Sequence, residues 1–191
     1  LSGYGSAKPV PAAPSVKASS SSYKSIKVTW SKVSGANGYQ LYRATSAKGS
    51  YKLVKKTTSL SYTNSSLTTG TTYYYKVRAY RKIGRTYVYG NYSSVVSAKP
   101  SLASVKSPKA ARQSSSSIKI SWKSVSGRTS YELWRSTSQN GKYTCVKTTS
   151  STSYINTKLK KGTYYYKIRA YRKVGKSKVY GGFSAIASAR L

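Results

Sequence analysis

The feature that most constrains this fold is a ten-residue stretch that occurs twice. Residues 73–82 read YYYKVRAYRK and residues 164–173 read YYYKIRAYRK. In both copies the residue character alternates with a period of two, which is typical of a β-strand with one buried face and one solvated face. The residues predicted to face the core are Tyr73, Tyr75, Val77 and Ala79.

The two copies belong to a repeat that covers nearly the whole chain. Residues from Trp30 to Gly70 match residues 92 positions later. After the glycine the offset falls to 91, because the segment TTGTTYYY in the first copy corresponds to KKGTYYY in the second, which is one residue shorter. A period of about 90 residues predicts two homologous domains rather than a solenoid. The predicted boundaries are 1–13 for a linker or the tail of a preceding domain, 14–100 for module one, 101–107 for a linker, and 108–191 for module two.

Within each module, short alternating runs follow one another between turn residues. The run SIKVTW (25–30) places Ile26, Val28 and Trp30 on one face, and SIKISW (117–122) repeats the pattern. Turn signals such as SGANG, AKGS and QNGK separate these runs. No segment shows sustained helical periodicity, so the sequence predicts an all-β fold with two sandwiches.

Charge is the unusual feature of the composition. The 191 residues include 35 Lys and Arg against one acid, Glu132, for a net charge of +34. Because Lys and Arg stay protonated far above neutrality, the predicted surface is a permanent cation between about pH 5 and 9. Glu132, at an outward position beside Trp134, is predicted to pair with a neighbouring cation. Local packing does not explain the loss of nearly every acid.

The composition argues against catalysis. The chain has no His, no Asp and no pair of carboxylates, so we expect no enzyme, no cofactor and no metal site. Cys145, in the alternating run KYTCVK, is predicted to be a small core residue, because a reactive thiol would need a His partner. The apolar runs are short and interrupted by Lys, so no transmembrane segment is expected.

The order of these landmarks resembles the fibronectin type III domain. The landmarks are a Pro-led start, a Trp that closes an early strand, GYxLYR, a later LxxG and a Y-x-Y-x-V-x-A strand. The resemblance covers both modules and is greatest to tandem copies in secreted Gram-positive bacterial proteins. It implies seven-stranded immunoglobulin-like sandwiches, a secreted or cell-wall location, and a tyrosine corner formed by Leu67 and Tyr73, with Leu159 and Tyr164 as equivalents. It implies no particular activity.

The outward side chains of the repeated strand form the candidate binding surface, together with the basic tips RKIGR (81–85) and RKVGKSK (172–178). Family topology adds Tyr42 and Trp134. Two explanations stay open: rings and cations that only stabilise the sheet, or contacts to a polyanion. The predicted polyanion-binding residues are Tyr42, Tyr74, Lys76, Arg78, Tyr80, Arg81, Lys82, Arg85, Trp134, Tyr165, Lys167, Arg169, Tyr171, Arg172, Lys173 and Lys176.

The predicted function is that of a cationic extracellular module that binds polyanions without sequence specificity. Candidate partners are wall teichoic acid, extracellular nucleic acid, sulfated glycan and anionic membrane surfaces, with adhesion or antimicrobial action as a consequence; no small-molecule substrate is expected. The alternative is a structural spacer in a larger secreted protein. A third possibility is engineered supercharging, suggested by Asn64 and Asn156 at predicted turn positions where an acid would be ordinary.

Overall fold

The computed structural model describes residues 9–191, which divide into two compact units after Pro100. Within these residues every regular element is a β-strand. Each unit contains one three-stranded and one five-stranded antiparallel sheet. The predicted all-β fold of two tandem sandwiches is therefore confirmed.

Module one contains eight strands in the described part of the chain. The small sheet has the order β1-β2-β5, and the large sheet has the order β4-β3-β6-β7, with β8 also paired to β6. The strands are β1 (Val16–Ser22), β2 (Ser25–Trp30), β3 (Gly38–Ala44), β4 (Lys52–Thr57), β5 (Ser61–Asn64), β6 (Tyr73–Ile83), β7 (Thr86–Tyr89) and β8 (Val96–Ala98).

Module two repeats this topology. Its small sheet has the order β13-β10-β9, and its large sheet has the order β12-β11-β14-β15, with β16 paired to β14. The strands are β9 (Lys109–Ser114), β10 (Ser117–Ser121), β11 (Ser130–Ser136), β12 (Thr144–Thr149), β13 (Ser153–Asn156), β14 (Thr163–Val174), β15 (Ser177–Tyr180) and β16 (Ala187–Arg190).

The last strand of module one is split in two where another part of the chain approaches it. Between β7 and β8, the backbone N–H groups of Gly90 and Ser93 still donate to β6, to the carbonyls of Ala79 and Val77, at 2.9 and 2.8 Å. A Cβ atom at Gly90 would clash with the carbonyl of Pro11, so this close approach requires glycine. The predicted seven strands are obtained when β7 and β8 are counted as one interrupted strand.

The core of module one follows the predicted alternation. Ile26, Val28 and Trp30 of β2 are buried, and the Trp30 ring lies 5.8 Å from the Tyr39 ring between centroids. Burying an apolar side chain of this size stabilises the fold by about 1.5–3 kcal/mol, so a slip of one residue in register would be costly. The predicted inward residues of β6, all buried, are Tyr73, Tyr75, Val77 and Ala79.

The predicted tyrosine corner is present in both modules. Leu67 and Tyr73 are buried, and the backbone N–H of Thr68 donates to the Tyr73 hydroxyl at 3.1 Å. In module two the Tyr164 hydroxyl instead donates to the carbonyl of Lys160 at 2.9 Å. The two corners therefore tie the tyrosine to the same turn through different backbone atoms.

Residues predicted as linkers take part in packing. Leu102 and Val105 are buried, and the carbonyl of Lys106 accepts a hydrogen bond from the backbone N–H of Lys123 at 3.1 Å. At the start of module one, Pro11 and Pro14 are also buried. These short segments therefore contribute to the modules that they precede.

The prediction that Cys145 is a core residue is wrong. Strand β12 lies at the edge of its sheet, and its pairing with β11 shifts by one residue between Leu133 and Trp134. This bulge places Cys145 opposite Trp134, and the thiol is exposed. The corresponding Leu53 in module one is 51% exposed. Alternation within KYTCVK could not reveal the bulge, because the shift depends on the partner strand.

Candidate functional site

The candidate surface is the outer face of the five-stranded sheet, which we call the ring–cation face. Strand β6 runs through its middle, with Lys76 opposite Tyr42 of β3 and Tyr80 opposite Tyr89 of β7. Antiparallel pairing therefore brings rings and cations side by side. In module one the ring–cation face consists of Gln40, Tyr42, Tyr51, Lys56, Lys76, Arg78, Tyr80, Tyr87, Tyr89 and Tyr92.

Arg78 lies at the centre of this face in module one. Its guanidinium carbon lies 4.1 Å from the ring centroid of Tyr89, 5.1 Å from that of Tyr92 and 5.5 Å from that of Tyr42. Its Nε donates to Oε1 of Gln40 at 2.8 Å, and its Nη2 donates to the Tyr42 hydroxyl at 3.0 Å. Arg78 is half-buried and held by several contacts at once.

Two lysines of module one also lie over rings. The ammonium of Lys76 is 4.0 Å from the Tyr92 centroid and 4.5 Å from that of Tyr51, and the ammonium of Lys56 is 4.0 Å from that of Tyr87. Each contact of this kind is worth about 0.5–1 kcal/mol at an exposed site. Burial raises the pKa of the Tyr51 and Tyr92 hydroxyls above the ordinary value, so both keep their protons to a higher pH than an exposed tyrosine does.

Module two builds the same arrangement from different rings. The guanidinium carbon of Arg169 lies 3.9 Å from the ring centroid of Tyr180, 4.9 Å from that of Phe183 and 5.2 Å from that of Trp134. The ammonium of Lys167 lies 4.6 Å from the Phe183 centroid. In module two the ring–cation face consists of Glu132, Trp134, Tyr143, Lys167, Arg169, Tyr171, Lys178, Tyr180 and Phe183.

Glu132 occupies the position of Gln40 in module one. Its Oε2 accepts hydrogen bonds from Arg169 at 2.8 and 3.0 Å, and its Oε1 accepts from Lys178 at 3.2 Å and from the Tyr180 hydroxyl at 3.1 Å. Burial opposes ionisation of this carboxyl, but the hydrogen bonds outweigh burial and hold its pKa below the ordinary value. The predicted pairing of Glu132 is confirmed, with two cations.

Tyr80 and Tyr171 lie on the ring–cation face as the alternation predicts, but they are not accessible. Only 8% of Tyr80 and 5% of Tyr171 is exposed. The ammonium groups of Lys56 and Lys178 lie over these two rings, 4.7 and 4.4 Å from the centroids. The expectation that both tyrosines belong to an exposed face is therefore corrected, because each ring is covered by neighbouring side chains, a lysine together with one or two tyrosines.

The other predicted residues differ in accessibility. Arg81 and Arg172 are half-buried and donate to the carbonyls of Gly35 and Gly127 at 2.9 and 2.8 Å. The half-buried remainder is Tyr42, Tyr74, Lys76, Arg78, Trp134, Tyr165, Lys167 and Arg169. The exposed ones, at the ends of the two hairpins, are Lys82, Arg85, Lys173 and Lys176.

The hairpin tips hold these exposed cations on short turns. Gly84 and Gly175 open the two turns with φ of 60° and 57°, a conformation that favours glycine. Register pairs Ile83 with Thr86 across the first turn, so only Gly84 and Arg85 lie between the strands. The tips therefore extend from the sheet as well-defined hairpins.

Asn64 and Asn156 are buried at the ends of strands rather than placed in turns. Oδ1 of Asn64 accepts hydrogen bonds from Nη1 of Arg43 and from the Tyr75 hydroxyl, both at 3.0 Å. Burial raises the pKa of Tyr75 far above its ordinary value, so the phenol stays a donor. The equivalent bonds of module two, at 3.0 and 3.1 Å, join Asn156 to Arg135 and Tyr166.

Several rings of the face escaped the sequence prediction. Tyr87 and Tyr89 alternate in TYVY, so period-two reading of β7 could have found them. Tyr92 and Phe183 lie outside regular strands, where no periodicity indicates direction. Tyr51 also precedes its strand. The rings of Tyr51, Tyr92 and Phe183 are therefore identified only through their contacts.

Neither a metal site nor a membrane span is found in the described residues. No group of three His, Cys, Asp or Glu side chains there could hold a metal ion. None of residues 9–191 forms a helix, and hence none forms a helix long and apolar enough to cross a membrane.

No protein-family model and no curated protein matches the sequence. Among solved structures, a two-domain fibronectin type III segment from chicken tenascin matches with a TM-score of 0.56 at 18% identity, covering 93% of this chain and 99% of that one. The fold is that of two tandem fibronectin type III domains. The FN1–FN3 domains of chicken CNTN1 match with a TM-score of 0.44 at 20% identity, covering 96% of this chain and 68% of that chain. At such identities the likeness shows the fold alone, and the bacterial origin stays a prediction.

Proposed function

We propose that this chain is a cationic extracellular module that binds polyanions without sequence specificity. The supporting observation is the scarcity of carboxylates. Glu132 pairs with Arg169 and Lys178, and it is the single acidic residue of a chain with 35 Lys and Arg. No other side chain of this chain can neutralise the remaining cations. A polyanion would do so and release condensed counterions, which favours binding.

The tips of the two hairpins are the contact points of the predicted surface in this proposal. Lys82 and Arg85 in module one, and Lys173 and Lys176 in module two, are exposed. Lys76 and its neighbours on the sheet are instead engaged with rings. The ring–cation face thus stabilises the sheet, and the tips extend its positive charge into solvent.

The partners in this proposal are polymers recognised by charge: teichoic acid, nucleic acid, sulfated glycan or an anionic membrane surface. Adhesion to such material, or damage to cells that carry it, would follow from binding. The proposal includes no enzymatic activity and no cofactor.

A retention assay tests the proposal directly. The full chain is applied to immobilised heparin, DNA and poly(glycerol phosphate) and eluted with increasing NaCl. We expect retention on at least one polymer well above about 150 mM NaCl, since a protein with many phosphate contacts keeps measurable affinity there. Release from all three below that concentration would contradict the proposal.

A matched pair of variants tests the tips. The tip variant changes Lys82, Arg85, Lys173 and Lys176 to Gln. Its control changes four other exposed lysines, Lys48, Lys52, Lys142 and Lys161, and so removes the same charge. Removing one lysine or arginine that touches a phosphate should lower the slope of log K against log salt by about 0.7–0.9. We expect this lower salt slope only in the tip variant. Equal changes in the tip variant and its control would show that the hairpin tips are not the contact points.

The second candidate function is a structural spacer. The match over nearly the whole chain to a two-domain segment of tenascin favours it, because two sandwiches in tandem can extend a longer protein without a site of their own. A spacer requires no binding of its own. Elution of the chain from every polymer at low salt would support the spacer over the binding module.

A further inference from the structure

The outer face of the three-stranded sheet differs from the ring–cation face in composition. On β2, Ile26 and Val28 are buried, so Lys27 and Thr29 point outward, and Lys27 is exposed. Val16 of β1 packs against the core, which directs Lys17 to the same outer side. We call this surface the hydroxyl–lysine face; in module one it consists of Lys17, Ser19, Lys27, Thr29, Ser61 and Thr63.

Strand register arranges these six residues in two rows. One row is Ser19–Lys27–Thr63, and the other is Lys17–Thr29–Ser61. Neighbouring strands lie about 4.8 Å apart, and successive outward residues along a strand lie about 7 Å apart. Lys17 and Lys27 are therefore diagonal neighbours, at about 7–8 Å between backbone positions. The result is a patch of four hydroxyls and two ammonium groups.

Module two keeps the two lysines while the surroundings change. Lys109 lies opposite Ser121, and Lys119 lies between Ala111 and Ile155, so the diagonal lysine pair recurs 92 residues later. The face of module two consists of Lys109, Ala111, Lys119, Ser121, Ser153 and Ile155. The recurrent feature of both faces is the pair of cations.

These lysines are free of the contacts that occupy the ring–cation face. In the described part of the chain, none of the four ammonium groups lies over an aromatic ring or beside a carboxylate, in contrast to Lys76 and Lys178. Two like charges on adjacent strands repel each other. An anionic group lying between them would remove that repulsion.

The absence of aromatic residues from both hydroxyl–lysine faces also limits which kind of polymer can bind there. None of the twelve outward residues is aromatic, so neither a nucleic-acid base nor a sugar ring finds a stacking platform here. A rigid duplex is convex and would touch an open sheet face along a line, whereas a flexible chain can lie across both rows. Hydroxyls donate to phosphate oxygens, and Lys binds phosphate as a point charge. The fitting polymer carries phosphates but neither bases nor sugar rings in its backbone.

We propose that the hydroxyl–lysine face of each module binds an alditol-phosphate polymer, an acyclic phosphodiester chain. This inference rests on the proposed polyanion binding and assigns one polymer class to a different surface from the hairpin tips. Phosphates bind between the diagonal lysines, and in module one Ser19 and Thr29, the two residues that lie beside this gap, donate to their oxygens.

The test compares two charge variants on three probes. The face variant changes Lys17, Lys27, Lys109 and Lys119 to Gln, and the control changes Lys48, Lys52, Lys142 and Lys161 to Gln. The probes are poly(glycerol phosphate), single-stranded DNA with the same number of phosphates, and heparin, each titrated at several salt concentrations. Circular dichroism and thermal melting verify that both variants remain folded, as expected for exposed lysines.

We expect the face variant to bind poly(glycerol phosphate) roughly tenfold more weakly at physiological salt, with the salt slope lower by about 0.7 for each phosphate that no longer meets a lysine. The control should change affinity by less than about threefold. A second variant, Ser19→Ala with Thr29→Ala, keeps all charges; we expect about two- to fivefold weaker binding with an unchanged salt slope, because it removes hydrogen bonds but no ion pairs with phosphate.

The outcomes separate this inference from the proposed function. Wild-type binding to DNA or heparin without binding to poly(glycerol phosphate) would keep the proposed function and overturn the inference. An equal loss in face variant and control would remove the face as a site. An equal loss of DNA binding in the face variant would overturn the polymer assignment. Absence of binding to all three probes would overturn both proposals.

Discussion

Module one places Gln40, and module two places Glu132, at the centre of the same ring–cation face. Gln40 accepts a hydrogen bond from Arg78 at 2.8 Å, as Glu132 accepts one from Arg169 at 2.8 Å. The carboxylate also binds Lys178. A neutral amide can thus hold the central arginine, and the acid adds a second cation. A fold with almost no acids therefore keeps its central arginines in place without needing a carboxylate in each module.

The second difference concerns the lysine that covers the buried tyrosine. In module one Lys56 comes from β4 and lies over Tyr80, whereas in module two Lys178 comes from β15 and lies over Tyr171. The equivalent ring is therefore covered by a lysine from opposite edges of the sheet in the two modules. What the two modules share is a covered ring, and the strand that supplies the lysine is free to vary.

The largest expected effect comes from removing the central acceptor. Glu132→Ala leaves Arg169 and Lys178 without their carboxylate, and we expect module two to lose roughly 2–3 kcal/mol of unfolding free energy, as for hydrogen bonds to charged groups. Gln40→Ala removes a neutral acceptor and should cost module one about 1 kcal/mol. Hydrogen exchange resolved to peptides of each module measures both changes in the full chain.

Equal losses in the two modules would contradict this ranking. The conservative change Glu132→Gln serves as the control, because it converts module two to the arrangement of module one. It should cost less than Glu132→Ala.

An intermediate effect is expected from acid. The pKa of Glu132 is lower in the folded protein than its ordinary value, so its stabilising contribution is full above about pH 4.3, the unfolded pKa, and is lost as pH falls through the folded pKa. Gln40 does not titrate. Between pH 6 and pH 3, protection factors corrected for intrinsic exchange should fall in module two and stay constant in module one.

Reciprocal variants sharpen this result. Glu132→Gln should abolish the acid sensitivity of module two, and Gln40→Glu should introduce it in module one. Acid sensitivity that persists in Glu132→Gln would show that another group carries it.

The smallest effect is expected at the bulge. Cys145→Ser and Leu53→Ser alter exposed side chains at corresponding positions, and each should change the unfolding free energy by less than about 0.5 kcal/mol. Urea unfolding of the full chain measures both. A loss of unfolding free energy near that of a core substitution, about 2 kcal/mol or more, would indicate that the Cys145 side chain is buried in the core.

Period-two alternation was sufficient for the direction of most strand residues. It correctly placed Tyr75 and Val77 inward and Lys76 and Arg78 outward, because each strand has one face fixed by burial. It failed at Cys145, where the bulge shifts the register. It also failed to show that Tyr80 is covered, because the covering lysine and tyrosines come from other strands.

The sequence by itself determined the repeat, the all-β class, the inward face of each long strand and the excess of positive charge. All of these depend on local periodicity or on counting. The tertiary structure decided which lysine and arginine side chains contact aromatic rings and which are left available to a binding partner. Lys76 and Arg78 contact the rings of Tyr42, Tyr51, Tyr89 and Tyr92, whereas Lys17 and Lys27 contact no ring among residues 9–191. Cation–π contacts form between residues distant in sequence, and only the folded chain brings those rings within reach.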